Sequence, residues 1–101
     1  MSVDRLLELV NGSTQRRMFG GVGVFCEGRM FAIGWRESLY LKVDDEGRAE
    51  FEELGSSPFK PNQRMTSRSY FEVPAAVLDD DAELAAWAHR AVEIAREGKG
   101  G

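Results

Sequence analysis

RRMFGGVGVFCEGRMFAIGWRESLYLKV, residues 16–43, decides the fold. It opens with Gly20, Gly21 and Gly23 inside four positions. Glycine clusters cradle phosphates when their N–H groups open a helix, followed by a Lys-Ser/Thr pair or set in a G-x-G-x-x-G turn. Here Val24, Phe25 and Cys26 follow, which continue a strand. The glycines therefore read as places where a strand bulges or another backbone approaches closely.

The rest of the stretch is strand-like. Residues 17–26 and 29–35 are rich in Val, Phe, Met and Ile and join through Glu27-Gly28, a hairpin connection. SLYLKV, 38–43, follows a turn near Arg36-Glu37. Short connections make the three an antiparallel meander. Strand 29–35 is apolar on both sides, with Met30 and Ala32 on one and Phe31, Ile33 and Trp35 on the other. A sheet with one wet face would alternate apolar and polar residues. Both faces are expected to be covered, by helices or by a second subunit. Three short helices are few for two faces, which points to a homodimer.

Outward from this core, Val3, Leu6, Leu7 and Val10 repeat at helical spacing and predict a helix over 3–11, with Ser2 as N-cap and Asn11-Gly12 as stop. DDEGRAEFEELG predicts a short helix, capped by Asp44 or Asp45 and ended by Gly55. Its apolar side is Ala49, Phe51 and Leu54, and Gly47 is unfavourable near its start. Residues 55–66 read as a loop around one short strand, and 67–73 as a strand stopped by Pro74. Asp80-x-x-Glu83 has capping-box form and opens the last helix, which Gly98 ends. The expectation is one α+β domain over residues 1–97 with a disordered tail at 98–101. Its order is α-β-β-β-α-β-β-α, with about five antiparallel strands and three helices.

Composition sets the class. The chain has 101 residues, 43% hydrophobic and 30% charged, and a formal net charge of −4. Cys26 is the single cysteine, so no intramolecular disulfide forms, which fits a reducing compartment. No apolar run nears the roughly 20 residues that span a bilayer. The N-terminus carries Asp4 and Glu8 and lacks a signal-peptide layout. A cytoplasmic protein without membrane attachment is expected. Binding to nucleic acid draws mostly on basic residues, so an acidic chain disfavours it. The charges do segregate: residues 16–68 hold nine Lys and Arg against eight acids, and residues 69–101 hold three against seven.

No residue set spells out a reaction. His89 is the lone histidine and Cys26 the lone thiol, too few for a His/Cys metal site. Asp79-Asp80-Asp81 lacks the alternation and closing Glu of a calcium loop, and acids at a helix start suit the macrodipole. No cofactor and no metal are expected. Two alternatives stay open. Arg17, Arg68 and Tyr70 could hold an anion in a small ligand-binding domain or enzyme. Arg16, Arg17, Arg64 and Arg68, with Lys60, could contact nucleic acid weakly.

The ordered set RRMFGGVGVF, GRMFAI, LYLKVDDEGRAEFE, SYFEVP and LDDDAELAAWAHRA resembles the N-terminal domain of the TfoX/Sxy family, from about Arg16 to Arg96. The resemblance implies the α+β fold above in a two-layer arrangement like that of dimeric secretion chaperones. Full-length members carry a further C-terminal domain and act as positive regulators of competence genes with the cyclic-AMP receptor protein. The resemblance thus implies a non-enzymatic regulatory or adaptor domain that meets a partner in the transcription machinery. It brings no catalytic residues. The motif residues Met18, Phe19, Gly20, Gly21, Leu39, Tyr40, Lys42, Tyr70 and Glu72 are expected to define the fold or an interaction surface.

Overall fold

The computed structural model describes residues 2–18 and 20–98. Phe19 and residues 99–101, most of the expected tail, lie outside the described residues. The elements are α1 (Ser2–Leu9), β1 (Ser13–Met18), β2 (Gly21–Cys26), β3 (Arg29–Trp35), β4 (Ser38–Lys42), α2 (Asp45–Glu53), β5 (Tyr70–Glu72), α3 (Ala75–Leu78) and α4 (Asp81–Glu97). The strands form one antiparallel sheet in the order β1-β2-β3-β4-β5.

The expected α+β sheet is there, with its order altered in three places. The predicted strand 17–26 is a hairpin: Gly20 turns the chain with φ +83, and Met18 pairs with Gly21 across it. β1 escaped the pattern because STQRRM is polar on both faces and exposed along most of its length. The strand expected within 55–66 shrinks to a bridge between Pro58 and Phe71, flanked by Glu72 N–H to Ser57 O (2.9 Å) and Phe59 N–H to Tyr70 O (2.9 Å). Those bonds make Pro58 and Phe71 a non-hydrogen-bonded pair, so the missing proline N–H leaves nothing unpaired. Finally, Pro74 opens the extra helical turn α3, too short to show a period.

A register shift corrects the face assignment of β3. Val24 pairs with Ala32 and Phe25 with Met30, so Phe31 is an extra residue in β3. The bulge turns Phe31 and Ala32 to the same side, both fully buried. Met30, Ile33 and Trp35 consequently share the opposite face.

The helices cover the Phe31 side. Val3 and Leu6 of α1, Val10 just after it, and Leu84, Ala88, Ala91 and Ala95 of α4 pack there on Val24, Phe31, Leu39 and Leu41. A smaller cluster joins Val43, Phe51 and Phe71 with Trp87, whose ring lies 4.4 Å from that of Phe51. In α2, Asp44 is the cap, accepting from Gly47 N–H at 2.9 Å. A Cβ at Gly47 would lie 3.3 Å from the capping Asp44 Oδ1, a tight approach, and in ordinary contact with Val43 and Trp87. Of the apolar side read for α2, Phe51 is buried while Ala49 and Leu54 are exposed. Asp80 accepts from Ala82 and Glu83 N–H at the start of α4, and Gly98, with φ +74, closes it.

Candidate functional site

Among the described residues, no helix covers the other face of the sheet. Its strand residues follow from the register: Thr14, Arg16 and Met18 on β1, Gly21, Gly23 and Phe25 on β2, Met30, Ile33 and Trp35 on β3, Ser38, Tyr40 and Lys42 on β4, and Tyr70 and Glu72 on β5. The chain between α2 and β5 folds over part of it. Phe59 anchors this segment, its ring meeting Trp35 edge-on at 5.5 Å and Tyr40 at 5.0 Å. Ser67 N–H returns to Phe59 O at 2.8 Å and closes the loop at its base. At its tip the Asn62 side chain accepts from Arg64 N–H (2.8 Å) and Met65 N–H (3.1 Å), a turn built by one asparagine.

Between loop and sheet lies a cleft of about 470 Å³. Met18, Met30, Ile33 and Trp35 form its floor, and Phe59 and Met65 its wall. This volume falls in the roughly 300–1,000 Å³ range of small-molecule sites. Gly23 deepens the floor: a Cβ there would stand 2.7 Å from the Met18 sulfur and 2.9 Å from that of Met30. Met65 leaves 62% of its surface exposed at the edge of the cleft, an unusual position for so apolar a side chain.

Residues 5–95 match the TfoX N-terminal domain. The chain belongs to this family. It is also 37% identical over 84 residues to the DNA transformation protein TfoX1 of Aliivibrio fischeri, a match that takes in 81% of the chain and 40% of that relative. The chain therefore spans well under half of the TfoX protein it resembles.

The residues of the TfoX motif serve different parts of this structure. Leu39 is core. Gly20 makes the β1–β2 turn. Gly21 lets β3 approach, since a Cβ would lie 2.6 Å from Gly34 O and 2.7 Å from the Trp35 ring. Met18 reaches the cleft. Tyr40 supports Phe59, and burial, ahead of the nearby Glu72 carboxylate, raises its pKa. The Lys42 ammonium sits 5.1 Å over the Tyr70 ring, and burial lowers its pKa. Tyr70 donates to Met30 O at 3.0 Å across the sheet, and burial pushes its phenol up to about 12. Glu72 accepts from Ser38 Oγ at 2.9 Å.

Of the cations expected to gather, Lys60 and Arg64 sit in the loop beside the cleft and Arg16 lies opposite its floor residue Gly23, while Arg17 and Arg68 stand apart. Arg16 and Arg17 are exposed on β1 and point to opposite faces. Arg16 lies 4.7 Å over the Phe25 ring. Arg64 is at the cleft, in the loop tip. Arg68 precedes β5 at the far edge, where its carbonyl accepts from Arg48. The anion set of Arg17, Arg68 and Tyr70 is likewise divided between opposite ends of the sheet. His89 is exposed on α4, and Cys26 is half-buried beside the helix-side core rather than enclosed by it. Among the described residues, no group of three His, Cys, Asp or Glu is placed to hold a metal, and no helix is long and apolar enough to cross a membrane.

The cleft itself was not read from the sequence. Its signals were there: a strand apolar on both sides, and one phenylalanine and one methionine in an otherwise polar loop.

Proposed function

We propose that this chain is a non-enzymatic regulatory domain of DNA-transformation competence. It acts in the cytoplasm by contact with a protein of the transcription machinery, and it self-associates. The observation that carries the reading is the match over residues 5–95, together with the similarity to a protein named for DNA transformation. The sheet offers a place for such contact. The outer edge of β5 is bridged by Ser57–Phe59, whereas no described strand pairs with the outer edge of β1. An open edge is a template for a strand from a partner or a second copy.

The test is disruption of the gene in its own host, with uptake of a marked DNA as readout. Transformation frequency is expected to fall and to recover on complementation. An unchanged frequency overturns the competence role. Sedimentation of the pure protein should give twice 11.3 kDa, and a monomer at every concentration overturns self-association. A second reading, a ligand-binding domain, is favoured by the cleft.

A further inference from the structure

The ion pairs among the described residues gather on the helices, and the cations beside the cleft stand outside them, as Arg17, Arg29 and Arg68 also do. Four arginines make ion pairs: Arg5 with Asp81, Arg48 with Asp45, Arg90 with Asp44 and Glu50, and Arg96 with Glu27 and Glu93. All four are helical residues. Other cations stand beside the cleft. Arg16 is the cross-strand partner of Gly23 in the floor. Lys60 stands between the lining residues Phe59 and Pro61, and Arg64 between Asn62 and Met65. Arg36 lies 5.9 Å from the ring of Trp35. None of these four is paired with an acid among the described residues.

Acids are scarce on this side. Residues 55–69, which wall the cleft, contain Lys60, Arg64 and Arg68 and no Asp or Glu. On this face of the strands the single carboxylate is Glu72, and Ser38 engages it. In a chain of net charge −4, this is a local reversal of sign around an apolar hollow. An apolar cleft open to solvent favours an apolar occupant. Unpaired cations at its rim favour an anion there. One molecule satisfies both when a flexible apolar chain ends in a negative head.

We infer that the cleft binds a free amphipathic anion of the fatty-acid class, its chain against Met18, Met30 and Ile33 and its carboxylate toward Arg16, Lys60 and Arg64. Three methionines suit a chain without fixed shape, because their unbranched side chains repack around it. The cleft is concave and walled by the loop, which admits a single chain and no bilayer. A second copy laid face to face would bring the two cationic rims together without acids between them.

Dodecanoate, dodecanol and dodecyltrimethylammonium are the probes, each kept below its aggregation threshold and titrated calorimetrically into the full chain. Dodecanoate is expected to saturate near one per chain, at least about tenfold tighter than dodecanol, with the cation weakest. Affinity should drop as salt rises. The exposed Arg64→Glu should bring dodecanoate to the dodecanol level without changing dodecanol binding. Gly23→Val fills the floor and should weaken both, with the fold checked by circular dichroism. Equal affinity for the three probes, or no saturation by dodecanoate, overturns the proposal. So does binding to phosphatidylglycerol vesicles without uptake of monomeric dodecanoate. Self-association that Ile33→Asp abolishes, in protein that takes up no dodecanoate, overturns it in favour of a second copy. None of these outcomes bears on the transformation phenotype, so the two readings fail separately.

Discussion

Tyr70 and Gly21 show how far single residues constrain this sheet. Tyr70 is buried, and its hydroxyl ties β5 to β3 through Met30 O. Ionising it would place a phenolate in that apolar setting. Its folded pKa of about 12 exceeds the ordinary 10.0, so the folded state holds its proton longer than the unfolded chain. The resulting stability is complete below pH 10 and is lost as pH rises from 10 to 12. Two pKa units correspond to about 3 kcal/mol. Denaturant unfolding followed from pH 9 to 12 should show this loss, and Tyr70→Phe should flatten it. The two glycines make a second test. A methyl at Gly21 meets the carbonyl oxygen of Gly34, which the sheet holds in place, whereas at Gly23 it meets mainly the mobile ends of Met18 and Met30. Gly21→Ala should cost about 1–3 kcal/mol by overpacking, and Gly23→Ala clearly less, in the same unfolding assay.

At the scale of elements, legibility followed side-chain contrast. α4 was readable because its caps and its apolar stripe agree, and Asp80 and Gly98 stand where the pattern put them. Asp80→Ala should therefore lower stability by about 1 kcal/mol, read from the thermal midpoint. β1 was not readable, since an exposed edge strand has no buried face to impose alternation. The turn between β1 and β2 hid in a glycine run that also suits a bulge. β3 was recognised as a strand, but its faces were misassigned, because one unpaired residue, Phe31, reverses alternation and leaves no mark in composition. α3 was missed because a single turn has no period. The cleft was the least legible feature. It needs β3 and the loop before β5 to meet, and two lining residues whose rings touch, Trp35 and Phe59, are far apart in the chain.

Across the whole molecule, the two sides of the sheet are covered by different means. The helix side is closed by α1, α3 and α4 over one apolar cluster, with Phe51 of α2 in a second beside it. The other side depends on one loop, and that loop depends on Phe59. Its ring is half-buried between Trp35 and Tyr40, while its backbone receives the closing bond from Ser67. Backbone bonds at Ser57 and Phe59 pin the start of the loop to β5, while residues 60–66 are mainly exposed, so few other apolar contacts hold its tip. Local stability is low where few apolar contacts anchor a segment. Phe59→Ala should therefore act in two parts. Global stability should fall by about 2 kcal/mol, less than for a core phenylalanine, because the ring is only half-buried. Amide exchange should speed up in residues 59–67 well beyond that global change, while α4 follows the global change alone. Uniform acceleration across both regions would mean that loop and core open together, and that the cleft wall is part of the folding unit rather than an independent flap.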